Sequence, residues 1–243
     1  MVLVCRIYCT IIRSQLCRQL PQPGLLLLSG WQNETKIKIL CGGEVLPNQL
    51  ARQLVALSHS VWNLYGPTET TIWSTVHQLK EVTEKPVPIG KAIANTTVYI
   101  LNQHLEPVST GVLGDLYIGG AGLARAYLNR PEETAERFIP NPFDELRAGP
   151  FGQGRLYKTG DLARRLQDGN LEFLGRIDDQ VKLRGFRIEL GEIEAALNQH
   201  SAVEQSLVAL KERAAGDKQL VAYIKPTSQS VDVTSEEAHV TLW

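Results

Sequence analysis

The sequence predicts an α/β fold whose second half is rich in β-strands. Two patterns support this prediction. Between residues 36 and 65 a strand, a helix and a second strand follow one another, an order typical of a parallel sheet covered by helices. Between residues 86 and 175 short apolar segments recur between turns, which predicts a small β-rich layer or barrel.

The first strand is expected at residues 36–41, where apolar and polar residues alternate before the glycines at 42–43. Pro47 then begins an amphipathic helix, because proline suits a first helical turn. Residues 60–65 form the second strand, which ends at the Gly-Pro turn of 66–67. Ligands of such sheets bind beyond the carboxyl ends of the strands, and both turns lie at that edge.

The β-rich part contains five expected strands and one helix. The helix, at residues 131–138, carries acidic residues in its first turn, where the helix dipole stabilises them. The Asp-Gly pair at 168–169 predicts a hairpin between the last two strands. The expected strands are residues 97–101, 114–118, 156–158, 162–166 and 171–174.

A third region begins near Asp178. It contains a short hairpin, a helix and two further strands, and its periodicity is lost after Lys225. The expected elements are strands 180–182 and 186–188, helix 191–199, and strands 206–210 and 219–224.

Composition excludes several classes of protein. The 243 residues include 25 Lys and Arg and 26 Asp and Glu, so no basic excess exists to neutralise a nucleic acid, and we expect no such partner. No stretch approaches the roughly 20 apolar residues of a membrane span, and the apolar start is interrupted by Arg6, so we expect a cytoplasmic protein without a membrane role. The four cysteines lack metal-site spacing and are expected to be reduced thiols.

Residues 63–70, Asn-Leu-Tyr-Gly-Pro-Thr-Glu-Thr, bring the most useful chemistry to one strand end. The amide can read a base edge, the aromatic ring can stack on a base, the hydroxyl can donate to a phosphate, and the carboxylate can hold Mg²⁺. A polar surface turn explains the same residues, and the cluster alone does not decide between the two.

Three more clusters are open to two interpretations each. The glycine-rich residues 114–122 could cradle phosphates or form a tight β-turn. Asp161, beside a glycine turn, could accept ribose hydroxyls or close a local turn. The charged, glycine-punctuated residues 175–194 could form a hinge and an exposed loop, or a solvated surface.

Taken together, the clusters resemble the core motifs of the adenylate-forming, AMP-binding superfamily. The similarity is strongest to the amino-acid adenylation domains of non-ribosomal peptide synthetases. The matching strings are LCGGE at 40–44, NLYGPTETT at 63–71, GDLYIGGAGLARAYLNRPEETAERF at 114–138, YKTGDLARR at 157–165 and GRIDDQVKLRGFRIELGEIE at 175–194.

This resemblance implies a domain layout. Residues 25–177 would be the C-terminal part of the large AMP-binding subdomain, including its β-rich layer or barrel. Residues 178–225 would be part of the small mobile C-terminal subdomain, of α+β type. Residues 1–24 and 226–243 are expected to lie outside the match.

The resemblance also implies a reaction and its binding residues. ATP and an amino acid would give aminoacyl-AMP and pyrophosphate, and the acyl group would pass to the phosphopantetheine thiol of a carrier protein, with a condensation domain as a further partner in an intact synthetase. Thr68 would contact the α-phosphate and Glu69 would hold Mg²⁺, which makes these two the catalytic candidates. The implied nucleotide-binding residues are Gly43, Glu44, Val45, Asn63, Tyr65, Gly66, Thr68, Asp161, Phe173, Arg176 and Arg187.

Further roles carry over residue by residue. Asp178 matches the hinge, and Lys182, Arg184 and Gly185 match the loop presented in the thioester-forming state. Half of the amino-acid pocket is matched, and its large side chains leave room for a very small substrate, so we expect glycine. The pocket positions are Leu40, Gly42, Leu64, Ile72 and Trp73.

The chain also departs from the family. The family's phosphate loop, the Asp that holds the substrate amino group and the catalytic lysine of its last motif have no counterpart in the sequence, and Ala126 replaces a usual glycine. We therefore expect a domain truncated at both ends that is inactive alone. Two alternatives are a fragment of an acyl-CoA synthetase-type ligase and a non-catalytic gene remnant.

Overall fold

The computed structural model describes residues 8–13, 16–21, 38–143, 154–183, 186–212 and 218–227, the first two ranges by their backbone only. The chain divides into two compact units. The first contains the described residues through Asp178 together with Phe186, and the second contains Asp179–Leu183 and the described residues from Arg187 onward.

A six-stranded sheet opens the first unit, in the order β2-β1-β3-β4-β5-β6. Its parallel pair is β3 with β4, and helix α1 connects these two strands, which confirms the predicted strand-helix-strand unit. The other neighbouring strands are antiparallel. The bounds are β1 Tyr8–Arg13, β2 Leu16–Pro21, β3 Lys38–Gly42, α1 Asn48–Leu57, β4 Ser60–Tyr65, β5 Thr75–Leu79 and β6 Lys91–Ala92.

Helix α1 is fixed to one face of this sheet by its apolar side. Ala51 and Leu54 are buried against Ile39 and Val61 of the parallel strands. Pro47, which was predicted to begin the helix, immediately precedes it, and its carbonyl accepts the first helical hydrogen bond. The polar start of the helix therefore lies just beyond the carboxyl end of β3.

The second sheet of the first unit has five strands. Four follow the order β7-β8-β10-β11, and β9 pairs with β10 beside them. The predicted hairpin at 168–169 is confirmed, since β10 and β11 are antiparallel around a glycine with a φ of 81°. The bounds are β7 Thr96–Leu101, β8 Gly114–Gly120, α2 Pro131–Arg137, β9 Phe138–Pro140, β10 Arg155–Arg165 and β11 Leu171–Arg176.

The expected strands 156–158 and 162–166 are one continuous strand, β10, and this part of the prediction was wrong. The polar residues between them do not end the strand, because they form a bulge within it. From Lys158 to Leu162 β10 advances four residues, whereas its partner β8 advances only two, from Tyr117 to Asp115. A bulge bends a strand and redirects its side chains, and this one contains Asp161.

Strand β8 is buried on both faces, so it is the centre of the second sheet. Leu116 and Ile118 belong to one apolar cluster, and Tyr117 belongs to a second cluster on the opposite face. Tyr65 from the end of β4 joins the first of these clusters. The site at the end of β4 is thus anchored to the core of the second sheet.

Gly90 connects the two sheets. Its carbonyl accepts from the Leu171 amide, and the Ile89 amide donates to the Leu171 carbonyl, both at 2.8 Å. Its φ is 88°, and a Cβ at this position would overlap the Val76 carbonyl. Glycine is therefore required both by the left-handed backbone and by the close approach of β5.

The second unit contains the predicted helix, the predicted strand pair and the predicted hairpin except for Phe186, which belongs to the first unit. Helix α3 is joined to β14, where the Val208 amide donates to the Glu194 carboxylate at 2.7 Å. Strands β14 and β15 are antiparallel. The bounds are β12 Gln180–Leu183, β13 Phe186–Glu189, α3 Leu190–Asn198, β14 Val203–Glu212 and β15 Lys218–Pro226. Among the helices in the described ranges, none is long and apolar enough to cross a membrane.

Replacing Gly90 with alanine should destabilise the chain more than the same change at Gly111. Both glycines have a left-handed φ, of 88° and 86°, but a Cβ at Gly111 would meet no heavy atom within 4 Å. Gly111→Ala should lower the free energy of unfolding by about 1–2 kcal/mol through backbone strain alone. Gly90→Ala should cost about 1–3 kcal/mol more through overlap. Urea unfolding of the full chain measures both, and equal losses would contradict the assigned role of Gly90.

Candidate functional site

The candidate site begins at the turn that follows β4. Gly66 allows this turn, because a Cβ there would lie 2.6 Å from the Ile72 carbonyl oxygen. The chain then returns on itself, and the Ser74 amide donates to the Tyr65 carbonyl at 2.8 Å. The turn thus presents residues 66–73 beyond the carboxyl end of β4, where an α/β sheet binds ligands.

Thr68 and Glu69 lie in a short 3-10 turn, Thr68–Thr70, within this segment. Thr68 is exposed, whereas Glu69 is only 8% exposed. The Tyr127 hydroxyl donates to Glu69 Oε1 at 2.6 Å. Burial, followed by the hydrogen bond to Glu69, raises the pKa of Tyr127 above its ordinary value, so Tyr127 remains protonated and donates across the physiological pH range.

The turn ends in strained backbone. Thr71 and Ile72 both have a left-handed φ, 63° and 70°. Such a conformation costs roughly 1–2 kcal/mol for each L-residue, and β-branched side chains rarely adopt it. Hydrogen bonds hold it in place, including one from the Thr71 hydroxyl to the Gly122 carbonyl at 2.7 Å.

Asp161, in the β10 bulge, is the centre of a buried polar network. It is 4% exposed. Arg176 Nη1 donates to Asp161 Oδ1 at 2.5 Å, and the Tyr65 hydroxyl donates to Asp161 Oδ2. Burial, then the Asp161 charge, raises the pKa of Tyr65 well above its ordinary value, so the phenol remains a donor to the carboxylate.

Arg176 also joins Asp161 to Asp178. Its Nε and Nη2 donate to the two carboxylate oxygens of Asp178 at 2.6 and 2.7 Å. Arg137 also forms an ion pair with Asp178, with 3.5 Å between Arg137 Nη2 and Asp178 Oδ2. Gly160 has a φ of 77°, and a Cβ there would lie 2.7 Å from Asp178 Oδ2, so only glycine leaves room for this network.

The other nucleotide-binding candidates of the first unit lie on β4, on β11 and just after β3. The buried Asn63 donates its amide to the Pro88 carbonyl at 2.9 Å, which fixes the orientation of the side chain. The Phe173 ring lies 6.4 Å from the Tyr65 ring. Gly43, with a φ of 93°, turns the chain out of β3, and Glu44 and the exposed Val45 follow.

The pocket candidates of the two parallel strands lie on the opposite face from Asn63 and Tyr65. Gly42 is the register partner of Leu64, and alternate residues of a strand point to opposite faces. Leu40, Gly42 and Leu64 therefore share one face. A Cβ on Gly42 would lie 2.9 Å from the Leu64 carbonyl oxygen, so the close approach of the strands also requires glycine there.

Two further pocket candidates, Ile72 and Trp73, follow the Glu69 turn, and Trp73 is 43% exposed. Lys182 lies in β12 and Arg187 in β13, both in the second unit. Arg184 and Gly185 lie outside the described residues. The expected binding roles of these residues stay predictions.

The donor set at the turn fits Mg²⁺ bound together with a nucleotide. Mg²⁺ is usually held by one or two carboxylates plus substrate phosphates, and Glu69 supplies a carboxylate at the end of β4. Within the part of the chain that the structure describes, no group of three or more His, Cys, Asp or Glu residues could hold a metal by itself.

Sequence reasoning missed three residues that complete the site: Tyr127, Tyr157 and Arg137. Tyr127 and Tyr157 belong to matched motifs, but their partners lie 30 to 58 residues away. Arg137 lies at the end of α2, within the matched string 114–138, and its partner Asp178 is 41 residues away. No local pattern predicts contacts between residues so far apart in sequence. An aromatic residue within a glycine-rich, polar stretch nevertheless indicates a candidate for such a contact.

Comparison with known proteins identifies a family. A family model described as AMP-binding enzyme matches residues 5–128, and so begins ahead of residue 25, where the motif resemblance starts. The dimodular nonribosomal peptide synthase of Bacillus subtilis (strain 168) is 53% identical over 188 residues, which are 77% of this chain and 8% of that protein. One of the linear gramicidin synthase proteins of Brevibacillus parabrevis is 54% identical over 197 residues, 80% of this chain and 2% of that protein. The chain thus spans less than a tenth of the length of these two relatives.

Two solved structures from proteins of nonribosomal peptide synthesis or amino-acid adenylation are also similar to this chain. A four-domain nonribosomal peptide synthetase bound to AMP and glycine matches with a TM-score of 0.58 and 41% identity, over 87% of this chain and 15% of that one. The Vibrio cholerae adenylation domain AlmE, in complex with glycyl-adenosine-5'-phosphate, matches with a TM-score of 0.70 and 29% identity, over 83% of this chain and 39% of that one. The chain belongs to the AMP-binding enzyme family and is similar in sequence and fold to the adenylation domains of nonribosomal peptide synthetases.

Proposed function

We propose that this chain is part of an adenylation domain that activates an amino acid with ATP in nonribosomal peptide synthesis. The observation that carries the proposal is the buried network of Tyr65, Asp161 and Arg176 beside the Glu69 turn. Together with Asn63, Phe173 and Thr68 of the same unit, it supplies an amide, aromatic rings, a carboxylate and a hydroxyl. The relatives named as peptide synthetases, and the solved neighbour bound to AMP and glycine, support this assignment.

Each part of a nucleotide has a complementary group in this arrangement. The oriented amide of Asn63 reads the adenine edge, and Tyr65 and the backbone of residues 43–45 enclose the ring. Asp161 accepts the ribose hydroxyls, with Arg176 and Phe173 beside them. The exposed Thr68 hydroxyl donates to the α-phosphate, and Gly66 allows the close approach of the backbone.

Glu69 and the phosphates would hold Mg²⁺, which neutralises phosphate charge when it is bound. In the first half-reaction an oxygen of the amino-acid carboxylate forms a bond to the α-phosphorus, the bond to the bridging oxygen breaks, and pyrophosphate leaves. In the second the carrier-protein phosphopantetheine thiol loses its proton and attacks the acyl carbon, and AMP leaves. The residues of this chain contribute mainly by positioning groups and by stabilising charge.

For the second half-reaction, the proposed residues lie close in sequence to the point where the chain passes from the first unit to the second. We infer that Asp178 is a hinge, and that Lys182, Arg184 and Gly185 form the loop presented when the thioester is made. Arg187 would approach the phosphates in the other state. The position of Asp178 at the end of the first unit supports this inference.

Glycine is the substrate that we propose. The proposed pocket combines Leu40, Gly42 and Leu64, which share one face, with the large side chains of Ile72 and Trp73, and we expect this set to leave room for a very small substrate. Two solved neighbours were bound to glycine or to its adenylate. The amino-acid substrate, the carrier protein and the condensation domain are proposed for a whole synthetase, of which this chain would supply part of one domain.

If the ribose contact is correct, the chain should distinguish AMP from 2',3'-dideoxy-AMP. By calorimetry, the wild type should bind dideoxy-AMP at least about tenfold more weakly, because a hydrogen bond to a charged group contributes about 1.5–3 kcal/mol. Asp161→Asn should lose most of this preference. The variant should still fold, because Arg176 retains its pair with Asp178.

The matched control for this experiment is Asp115→Asn, a substitution of the same kind in β8. It should retain the wild-type preference for AMP. Equal affinity of the wild-type chain for the two nucleotides would contradict the role of Asp161.

Amino-acid-dependent ATP–pyrophosphate exchange tests the reaction. The 243-residue chain should show background exchange, because the phosphate loop and catalytic lysine that the resemblance implies are not in its sequence. In a reconstituted full-length adenylation domain that contains residues 38–227, exchange should be fastest with glycine. Faster exchange with phenylalanine would refute the glycine assignment, and robust exchange by the 243-residue chain would show that the missing motifs are dispensable.

A further inference from the structure

Residues 122–127 close over the Glu69 turn and hold it at three points. The Ala124 amide donates to the Glu69 carbonyl at 2.7 Å, and the Thr71 hydroxyl donates to the Gly122 carbonyl, also at 2.7 Å. The third contact is the hydrogen bond of 2.6 Å from the Tyr127 hydroxyl to Glu69 Oε1. Both the backbone and the carboxylate of Glu69 are therefore held by one segment, which lies more than 50 residues later in the chain.

This closing segment is itself anchored to the second sheet. Arg155, at the start of β10, donates to the Arg125 carbonyl at 2.8 Å and to the Ala124 carbonyl at 3.1 Å. Its guanidinium lies 5.3 Å from the centre of the Phe138 ring. The segment is therefore fixed to β10 and β9 and does not depend on the Glu69 turn alone for its position.

The direction of the hydrogen bonds around Tyr127 can be assigned. A tyrosine hydroxyl has one proton, and that of Tyr127 goes to the Glu69 carboxylate, which can only accept. At the 3.2 Å contact between the two hydroxyls, Tyr157 must therefore be the donor and Tyr127 the acceptor. The chain of donors runs from Tyr157 through Tyr127 to Glu69, and each bond polarises the next.

Packing fixes both tyrosine rings. Tyr157 is fully buried, and its ring lies 5.1 Å from the ring of Phe138. Phe138 meets Tyr127 edge-on at 5.6 Å. The rings are thus held by contacts that do not involve the hydroxyls, so a Tyr→Phe change at either position removes the hydrogen bond and retains the ring.

We propose that Tyr127, supported by Tyr157, is the positioning residue that orients the Glu69 carboxylate for Mg²⁺. The proposal rests on the function proposed above, in which Glu69 holds the metal. A carboxylate on a flexible side chain must lose rotational freedom to hold a cation with near-ideal geometry, and Mg²⁺ demands such geometry. The donor from Tyr127 restricts the carboxylate before the metal arrives. Groups that orient metal ligands in this way typically affect metal affinity by roughly 10- to 100-fold.

The experiment compares the affinity of the full chain for ATP with and without Mg²⁺. Calorimetry with ATP in excess Mg²⁺ and with ATP in EDTA measures the enhancement that the metal provides. In Tyr127→Phe this enhancement should fall by roughly tenfold, or vanish if it is smaller than that in the wild type. The affinity for AMP in EDTA should not change, because no metal is bound and the Ala124 and Thr71 hydrogen bonds still hold the turn that carries Thr68. Tyr157→Phe should cause a smaller loss in the same direction.

The matched control is Tyr99→Phe, in which the changed ring stacks on Phe143 at 4.9 Å in a different part of the second sheet. It should leave both affinities at the wild-type values.

Glu69→Gln tests the metal role of Glu69 separately from the role of Tyr127. It should abolish the enhancement of ATP affinity by Mg²⁺. If Glu69→Gln retains the enhancement of ATP affinity by Mg²⁺, or if the wild type shows none, the proposed metal role of Glu69 is wrong. The proposed role of Tyr127 is then wrong as well. If Glu69→Gln abolishes the enhancement and Tyr127→Phe retains it, the role of Tyr127 alone is overturned. A parallel loss of AMP affinity in Tyr127→Phe would also overturn it, because the hydroxyl would then act on the whole fold.

Discussion

The buried carboxylate of Asp161 is the constraint on which the polar network of Tyr65, Asp161 and Arg176 depends. A charge removed from water must be paired and hydrogen-bonded, since an uncompensated buried charge costs several kcal/mol. Arg176 and Tyr65 meet this requirement, and each does so from a different strand. The bulge in β10 brings Asp161 to them, and the missing side chain of Gly160 makes room for Arg176. The bulge in β10, the glycine at 160 and the pairing with Arg176 and Tyr65 thus all compensate for one buried charge, that of Asp161.

A second constraint holds the Glu69 turn. Two consecutive β-branched residues, Thr71 and Ile72, adopt a conformation that neither prefers, so the turn does not keep this shape through local preference. Its shape is maintained by residues 122–127, which are themselves fixed by Arg155. Residues 122–127 therefore contribute to the candidate site by holding another motif in place. This explains why two strings far apart in sequence serve one site.

Many of the regular elements were predictable from sequence because local patterns determine them, whereas strands β1, β2, β5, β6 and β9 were not predicted. The apolar alternation before residue 42, the proline at the start of α1 and the Asp-Gly turn each act over a few residues. The single strand β10 was not predictable, because its polar middle reads as a turn and becomes a strand only when β8 pairs with it. Among the candidate residues, Asn63, Glu69 and Asp161 were singled out by motif and their binding roles stay predictions, whereas Tyr127 was missed. Its role depends on a contact across 58 residues, for which periodicity carries no signal.

The alternation of faces along the parallel strands has a consequence for how such a domain diversifies. Residues 40, 42 and 64 lie on one face, and residues 63 and 65 lie on the other, within strands of only five and six residues. A point mutation alters one face and leaves the other as it was. An insertion or deletion of one residue would exchange the two sets, because the side-chain period of a strand is two. Replacement at fixed length therefore changes one face at a time, so the proposed substrate side can vary while the proposed nucleotide side stays intact.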